Sequence, residues 1–225
     1  MNTAAESSES SRLNSLRRMT VIRMLDYSYE KEAHDNGFEI VCGVDEAGRG
    51  PLAGPVYAAA VILPENYSHE ILNDSKQLSE EKREKIYDDI VRDAVSYSVG
   101  IATEKEIDEL NILNATFLAM KRAVDGLSVK PDFAYIDGNR YPHTGVKEQT
   151  LIKGDAKCMS VAAASIIAKV SRDRFMLELD KKYPEYQFSK HKGYGTKLHY
   201  EMIEKYGVSD IHRRTFLKKI IGDEK

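Results

Sequence analysis

Residues 38–63 read FEIVCGVDEAGRGPLAGPVYAAAVIL, and this stretch decides the fold. Apolar side chains dominate residues 38–45 and again residues 56–63, so each run predicts a buried strand. The segment between the two runs contains three glycines and two prolines, which favour a turn. We therefore expect two neighbouring strands in the core of one sheet.

Two acids, Asp45 and Glu46, stand at the end of the first predicted strand. Neighbouring residues of a regular strand face opposite sides of a sheet. If both carboxylates bind one metal cluster, Glu46 should lie just past the last regular pair of the strand, where the glycines that follow permit a bend. An isolated acidic pair beside glycine is more often a polar strand end leading into a turn, so the interpretation depends on further acids.

Two more acids occur in matching surroundings. Asp137 closes the short apolar strand predicted at 133–137, and Asp155 follows Gly154 before a helix rich in small residues. Converging carboxylates repel one another unless cations lie between them, and all-oxygen ligands suit Mg²⁺ or Mn²⁺. The four acids together predict a site for two divalent cations of the kind that catalyses phosphoryl transfer without a histidine base.

The loop between the first two strands adds backbone groups to this site. Gly48, Arg49 and Gly50 expose bare N–H and C=O groups and one guanidinium, which suit close approach to a sugar-phosphate chain. The alternative interpretation is an ordinary tight turn.

The rest of the chain alternates helices with strands around a single predicted core. Apolar residues recur at helix-like intervals over 13–36, and Ser79 can cap a helix that runs to about residue 94. Further strands are predicted at 96–102, 133–137 and 149–152, and further helices at 111–124, 156–179, 197–206 and 214–221. The early alanines of helix 156–179 predict that its backbone packs closely on the sheet.

Composition favours one catalytic domain in the cytoplasm without a membrane partner. The chain has 225 residues, 42% of them hydrophobic and 31% charged. We see no leader sequence and no apolar run that approaches the ~20 residues of a membrane span. Cys42 and Cys158 lie in apolar or small-residue segments, which favours two buried free thiols over a disulfide.

The net charge of −3 hides an uneven distribution. Residues 1–139 contain 15 Lys and Arg against 25 Asp and Glu, a balance of −10, whereas residues 140–225 contain 18 against 11, a balance of +7. The basic half is the side expected to face a polyanion. The same lysines could instead solvate helix faces, and charge counts alone do not choose between these readings.

Seven stretches of the chain form a recognisable pattern: GVDEAGRGPLAGPV (43–56), LNDSKQLSEEKRE (72–84), NILNATFLAM (111–120), YIDGN (135–139), KGDAKCMSVAAASIIAKVSRDR (153–174), HKGYGT (191–196) and HRRTF (212–216). Each stretch alone is a weak signal. In this order and spacing they resemble the bacterial ribonuclease HII family, the type 2 ribonucleases H, and the resemblance covers residues 43–216.

The resemblance implies a ribonuclease H-like α/β fold, a mixed five-stranded sheet flanked by helices, with additional C-terminal helices that grip the substrate duplex. It matches the family's four metal-binding acids to Asp45, Glu46, Asp137 and Asp155. It matches the loop that senses the ribose 2′-hydroxyl at an RNA–DNA junction to Gly48, Arg49 and Gly50, and the tyrosine that stacks on the following deoxyribose to Tyr194.

These matches agree with the chemistry of the residues. Only the 2′-hydroxyl separates RNA from DNA at one nucleotide, and backbone groups on a rigid loop can both donate to it and accept from it. A flat tyrosine favours a deoxyribose, which offers an apolar face. Taken without the family pattern, Tyr194 is an ordinary surface aromatic, one of 13 tyrosines.

Four other residues have two interpretations each, and Asp173 has one. Ser75 and Lys76 resemble a phosphate-contact segment of the family, or they form a turn before a helix. Asp173 is interpreted as a structural ion-pair partner. Arg213 and Arg214 could bind phosphates, but we favour a role in balancing the charge of the C-terminal helix.

The predicted organisation has four parts: a disordered tail at 1–12, a helical extension at 13–37, a catalytic core at 38–182 and a C-terminal helical segment that grips the substrate at 183–225. The predicted activity is hydrolysis of the RNA strand of RNA/DNA hybrids and of the phosphodiester 5′ to a ribonucleotide in duplex DNA, by a monomer. One alternative is a nuclease or strand-transfer enzyme acting on DNA. Another is a catalytically silent nucleic-acid-binding module.

Overall fold

The computed structural model describes residues 25–69, 72 and 78–221. Within that part of the chain, five strands form one sheet: β1 (Val41–Ala47), β2 (Val56–Ile62), β3 (Ser96–Ala102), β4 (Phe133–Asp137) and β5 (Lys147–Leu151). The strand order is β3-β2-β1-β4-β5. Strands β1, β2 and β3 pair in antiparallel fashion, whereas β4 is parallel to β1 and β5 is parallel to β4. The predicted mixed five-stranded sheet is confirmed.

Helices cover both faces of this sheet. They are α1 (Ser28–Asp35), α2 (Glu80–Asp93), α3 (Glu104–Leu110), α4 (Ile112–Asp125), α5 (Met159–Lys182), α6 (Phe188–His191), α7 (Lys197–Tyr206) and α8 (Arg214–Ile221). Helix α5 packs on β1 and β2 from one side, and α4 packs on β1, β2 and β3 from the other. Short 3-10 turns at Gly154–Ala156 and Pro184–Tyr186 flank α5.

The close approach of α5 to the sheet depends on a glycine in β1. A Cβ on Gly43 would lie 2.1 Å from the carbonyl carbon of Ser160, well inside van der Waals contact. The first turns of α5 are rich in alanine and fully buried, so no side chain separates the helix from β1. The prediction of backbone-close packing is confirmed.

The expectation of a single hydrophobic core is wrong. One cluster fills the space between the sheet and α5, and another fills the space between the sheet and α4. A further cluster lies beneath α7 and α8, where Met176 and Leu179 at the end of α5 meet Phe188, Ile203 and Leu217. The C-terminal helices therefore pack onto an extension of α5 that continues beyond the sheet.

Two element predictions need correction near the ends of the first half. The predicted helix 13–36 is helical only from Ser28 to Asp35 among the described residues, because Asp26 pairs in a β-bridge with Cys158 instead. Helix α3 was missed, although Thr103 and Glu106 form a capping box that the sequence displays. The tail predicted at 1–12 lies outside the described residues.

Two further sequence expectations, the cap of α2 and the free state of the two cysteines, are confirmed. Ser79 caps α2 by accepting the N–H of Lys82. Cys42 and Cys158 are buried and free. No helix among the described residues is long and apolar enough to cross a membrane.

Candidate active site

The carboxyl ends of β1 and β4 form one edge of the sheet and bring the predicted acids to it. The two strands are parallel neighbours, paired through Val44 and Ile136, so Asp45 and Asp137 follow at the same level. Both acids and Glu46 are electrostatic neighbours, because the negative charge of Asp137 raises the pKa values of Asp45 and Glu46. Three of the four predicted acids therefore meet where a strand pair ends.

Glu46 does not lie past the end of β1, contrary to the sequence expectation. It pairs with Ala58 of β2, as Asp45 pairs with Ala59, and the strand continues to Ala47. The two acids nevertheless reach one region because β4 ends at Asp137, which leaves this part of β1 without a neighbour on that side. Glu46 borders the resulting cleft together with Asp137.

Asp45 is 6% exposed and faces α5. Its Oδ1 accepts the backbone N–H of Glu46 at 2.7 Å, and the hydroxyl of Ser165 on α5 also hydrogen-bonds to the carboxylate. Burial is the largest cause that raises its pKa well above the ordinary value, followed by the charges of Glu46 and Asp137. A counter-charge at this position would offset both costs.

Glu46 has one cationic partner. Burial raises its pKa, and the Arg49 guanidinium, whose Nη1 lies 3.2 Å from Oε1 of Glu46, lowers it. The arginine side chain is half exposed, so this ion pair lies at the mouth of the cleft. Arg49 thus connects the glycine loop to the acidic cluster.

Asp155 reaches the same edge through the turn that precedes α5. The N–H of Gly154 donates to Oδ1 of Asp137 at 2.6 Å, and Asp155 is the next residue, buried in the turn Gly154–Ala156. This contact joins the third predicted acid to the segment that bears the fourth.

The donor set fits hard divalent cations, since all four side chains offer oxygen atoms and the negative charge of Asp137 contributes to the raised pKa values of Asp45 and Glu46. As the side chains stand, no three His, Cys, Asp or Glu residues in the described ranges form a group close enough to hold an ion. The structure therefore places the acids at one edge of the sheet, but their carboxylates are not close enough together to surround one ion.

The glycine loop, residues 48–55 between β1 and β2, has carbonyl groups that face the protein interior. Gly48 is buried with a φ of 96°, while Arg49 and Gly50 are exposed. The carbonyls of Gly48 and Arg49 accept hydrogen bonds from Arg213 at 2.6 and 3.0 Å. The expectation that this loop presents bare C=O groups is wrong for these two residues, because a buried guanidinium occupies them.

Tyr194 lies against this loop, although 144 residues separate it from Gly50. A Cβ on Gly50 would lie 3.7 Å from Cε1 of the tyrosine ring. The ring is 43% exposed and borders an open groove that runs from Glu46 past Ser165 and Lys169. The loop and the tyrosine that the sequence linked are adjacent in the structure.

Two buried arginines are the residues that sequence reasoning missed. Arg213 was interpreted as balancing the charge of the last helix, yet its side chain is fully buried beneath the glycine loop. Arg172 was not singled out, although it stands at helical spacing from Ala168, Met176 and Leu179 on the apolar face of α5. A charged residue within an apolar helical stripe is the signal that could have identified it.

The remaining sequence candidates fall into two groups. Ser75 and Lys76 lie outside the described residues. Asp173 forms an ion pair with Lys169 at 2.8 Å, as predicted for a structural partner. The backbone N–H of Arg214 donates to Asp108, which ties the start of α8 to α3.

The family model for ribonuclease HII matches residues 42–219 of the chain. A ribonuclease HII from Caldicellulosiruptor bescii is 51% identical over 196 residues, which cover 87% of this chain and 95% of that one.

Among solved structures, ribonuclease H2 from Pyrococcus horikoshii superposes with a TM-score of 0.67 and 33% identity, covering 79% of this chain and 93% of its own. Ribonuclease HII from Archaeoglobus fulgidus, solved in complex with PCNA, has a TM-score of 0.60 and 26% identity, covering 78% and 94%. The mixed sheet with its flanking helices is thus the ribonuclease H-like fold.

Proposed function

Because the chain belongs to the ribonuclease HII family of metal-dependent endoribonucleases, we propose that it cleaves the RNA strand of RNA/DNA hybrids and nicks duplex DNA 5′ to a single embedded ribonucleotide. The products are 3′-hydroxyl and 5′-phosphate ends. In the cell this activity removes misincorporated ribonucleotides during repair and replication, in the cytoplasm where bacterial DNA lies.

One observation carries this proposal: the acidic cluster and the surface formed by the glycine loop and Tyr194 meet at Glu46. Glu46 borders the cleft of the acids and also the groove that Tyr194 lines. A phosphodiester held at the acids would therefore have its sugars beside the glycine loop and the tyrosine. A DNA nuclease has no need of such a surface, and a silent binding module has no need of the four acids.

Asp45, Glu46, Asp137 and Asp155 would hold two divalent cations, Mg²⁺ or Mn²⁺. When bound, the cations supply charge to activate water and to stabilise the leaving 3′-oxygen. The carboxylates of the chain position that charge and take no proton from the substrate. Arg49, which pairs with Glu46 and is half exposed at the mouth of the cleft, would be in a position to contact a substrate phosphate there.

The glycine loop and Tyr194 would recognise the junction. Arg49 and Gly50 are exposed residues, and their N–H groups can donate to the 2′-oxygen of the ribonucleotide. The half-exposed ring of Tyr194 offers its face to the next sugar, where a deoxyribose packs without burying a hydroxyl. Ser75 and Lys76 are proposed to contact a neighbouring phosphate, and the C-terminal segment to grip the duplex as part of a monomer.

A denaturing-gel cleavage assay tests the proposal on three duplexes: DNA with one ribonucleotide, a long RNA/DNA hybrid, and DNA alone. A cut just 5′ to the ribonucleotide, dependent on Mg²⁺ or Mn²⁺ and absent from DNA alone, is expected. Cleavage of the long hybrid only would contradict junction recognition. Cleavage of DNA alone would favour the DNA nuclease, and no cleavage of any duplex would favour the binding module.

A further inference from the structure

All three nitrogen atoms of the Arg213 guanidinium donate hydrogen bonds to carbonyl groups of the glycine loop. Its Nε donates to the carbonyl of Gly54 at 2.8 Å, Nη1 to Arg49 at 3.0 Å and Nη2 to Gly48 at 2.6 Å. The side chain is 0% exposed, and its own backbone N–H donates to the carbonyl of Leu52. The residue thus contacts the loop at both ends and in the middle.

Arg172, on α5, also donates hydrogen bonds to carbonyl groups of this loop. It donates to the carbonyls of Pro55 at 3.1 Å, Ala53 at 3.2 Å and Lys192 at 3.0 Å. Its guanidinium carbon lies 5.9 Å from the centre of the Tyr194 ring. Arg172 therefore links the glycine loop to the turn that carries the tyrosine.

Backbone hydrogen bonds also join the glycine loop to the C-terminal segment. The N–H of Leu52 donates to Gly193 at 2.8 Å, and the N–H of Gly54 donates to Ile211 at 2.9 Å. A Cβ on Gly193 would lie 2.5 Å from the carbonyl oxygen of Ala53, so the two segments are as close as backbones can pack. Hydrogen bonds and close backbone packing therefore join the loop to the turn.

The direction of the loop carbonyls fixes the direction of its donors. In a planar trans peptide, the C=O of one residue and the N–H of the next point in opposite directions. No cis peptide bond occurs in the described residues. With the carbonyls of Gly48 and Arg49 turned inward to Arg213, the N–H groups of Arg49 and Gly50 point away from the protein interior.

Burial of two neighbouring guanidinium groups is electrostatically unfavourable. Burial lowers the pKa of Arg213 to about 9, with the charge of Arg172 as the second cause, and burial also lowers the pKa of Arg172. Carboxylates offset part of this cost, since Glu104 acts on both guanidinium groups, Asp108 on Arg213 and Asp173 on Arg172. Apolar side chains in this space would leave the carbonyl groups of Gly48, Arg49 and Gly54 without their donors, so the conformation of the loop depends on the buried guanidinium groups.

We propose that Arg213 and Arg172 are positioning residues for substrate specificity: they orient the N–H groups of Arg49 and Gly50 toward the ribose 2′-oxygen and hold Tyr194 at a fixed distance from them. This inference rests on the proposed function. It assigns the discrimination between one ribonucleotide and a long hybrid to two side chains that never touch the substrate.

Arg213→Lys and Arg172→Lys test the proposal, because lysine keeps the charge but loses the fork. Arg174→Lys is the matched control on α5, since Arg174 is exposed and pairs with Glu84 away from the loop. Leu217→Ala, in the cluster beneath the C-terminal helices, controls for lost stability alone. Cleavage rates on the single-ribonucleotide duplex and on the long hybrid are measured beside amide hydrogen exchange of the metal-free proteins.

Each lysine variant is expected to fold and to lose about tenfold more activity on the single ribonucleotide than on the long hybrid. The amides of Leu52 and Gly54 should exchange faster in the same variants, while both controls keep the wild-type rate ratio. An unchanged ratio, unchanged exchange, or failure of both variants to fold would overturn the proposal. If the wild type itself leaves the single ribonucleotide uncut, the proposed function fails, and hydrogen exchange alone decides whether the arginines anchor the loop.

Discussion

The backbone N–H of Gly154 donates a 2.6 Å hydrogen bond to Oδ1 of Asp137, across 17 residues of sequence. The contact fixes the turn before α5 to the end of β4. It therefore determines where Asp155 stands relative to the acids of β1. A side-chain oxygen that is proposed to serve cation binding also organises the site that surrounds it.

Asp137→Asn separates these two roles. The amide oxygen of asparagine can still accept the Gly154 N–H, so the fold should be retained, but the charge that attracts cations is lost. We expect cleavage to fall by about 100-fold or more, with Asp45→Asn behaving alike, while duplex binding persists. Gel assays and fluorescence anisotropy measure the two properties.

Asp132→Asn is the control for the acid variants. This residue precedes β4 and accepts the N–H groups of Glu39 and Ile40 at the opposite end of the strand. It should retain wild-type cleavage. Turnover above a few per cent in Asp137→Asn would remove the basis for its metal assignment.

The sequence predicted the sheet well because each strand carried its own signal. Strand β3 and the C-terminal helices α7 and α8 were predicted with their observed bounds, since apolar periodicity and local caps determine them. Helix α1 was predicted too long, because the pairing of Asp26 with Cys158 is a tertiary contact that periodicity does not encode.

The sequence identified the residues of the candidate site, but not the buried arginine that holds the glycine loop in place. Acids beside glycines can be recognised in the sequence alone, and so can the family pattern around Tyr194. The inward carbonyls of Gly48 and Arg49 depend on Arg213, which is 165 residues away from Gly48. No local rule distinguishes that buried arginine from a solvated one.

Arg49→Ala and Tyr194→Ala should lower cleavage of the single-ribonucleotide duplex more than cleavage of the long hybrid. Arg49 belongs to the loop and Tyr194 lies against it, where one 2′-hydroxyl would be read, whereas a long hybrid offers a ribose at every position. We expect a difference of about tenfold between the two substrates, measured as initial rates. Tyr97→Ala, on edge strand β3, is the control. Equal losses on both substrates would count against junction sensing.

Binding to duplexes should weaken steeply with salt, through the basic C-terminal half. Two of its 18 cations, Arg172 and Arg213, are buried and cannot reach phosphates, so the exposed lysines and arginines must carry the effect. Replacing three of these by Gln should flatten the salt dependence: Lys190, Lys197 and Lys218. The control with the same change of net charge replaces Lys31, Lys82 and Lys105. Equal slopes for the two triple variants would contradict the assignment.

Glu30 gives the N-terminal helix α1 a physical role. Its Oε1 accepts the backbone N–H and the hydroxyl of Ser160, both at 2.7 Å, and the thiol of Cys158, so a side chain from α1 caps α5. Glu30→Ala would leave buried donors without acceptors and should lower the free energy of unfolding by about 3 kcal/mol. Urea denaturation measures this. Glu32→Gln, exposed on the same helix, should change little, and equal effects of both variants would refute the capping role.

A chain of buried histidines beneath Tyr194 should make stability sensitive to acid. The Ser209 N–H donates to Nδ1 of His212, which leaves its Nε2–H to donate to Nε2 of His199 at 3.1 Å. His199 in turn has its proton on Nδ1, 3.0 Å from the carbonyl of Tyr194. A further proton on either ring would set two N–H groups against each other, so both rings are held neutral.

Burial, the largest cause, lowers the pKa values of His199 and His212 to about 4, from 6.5 in the unfolded chain. The stabilising effect of the neutral rings is therefore complete above about pH 6.5 and is lost as the pH falls toward 4. We expect a loss of about 2 kcal/mol per histidine at about pH 5, measured by urea denaturation. His212→Gln should reduce this pH dependence, whereas His143→Gln, whose ring is 90% exposed, should leave it intact. A pH profile shared by wild type and His212→Gln would show that these rings do not set the acid sensitivity.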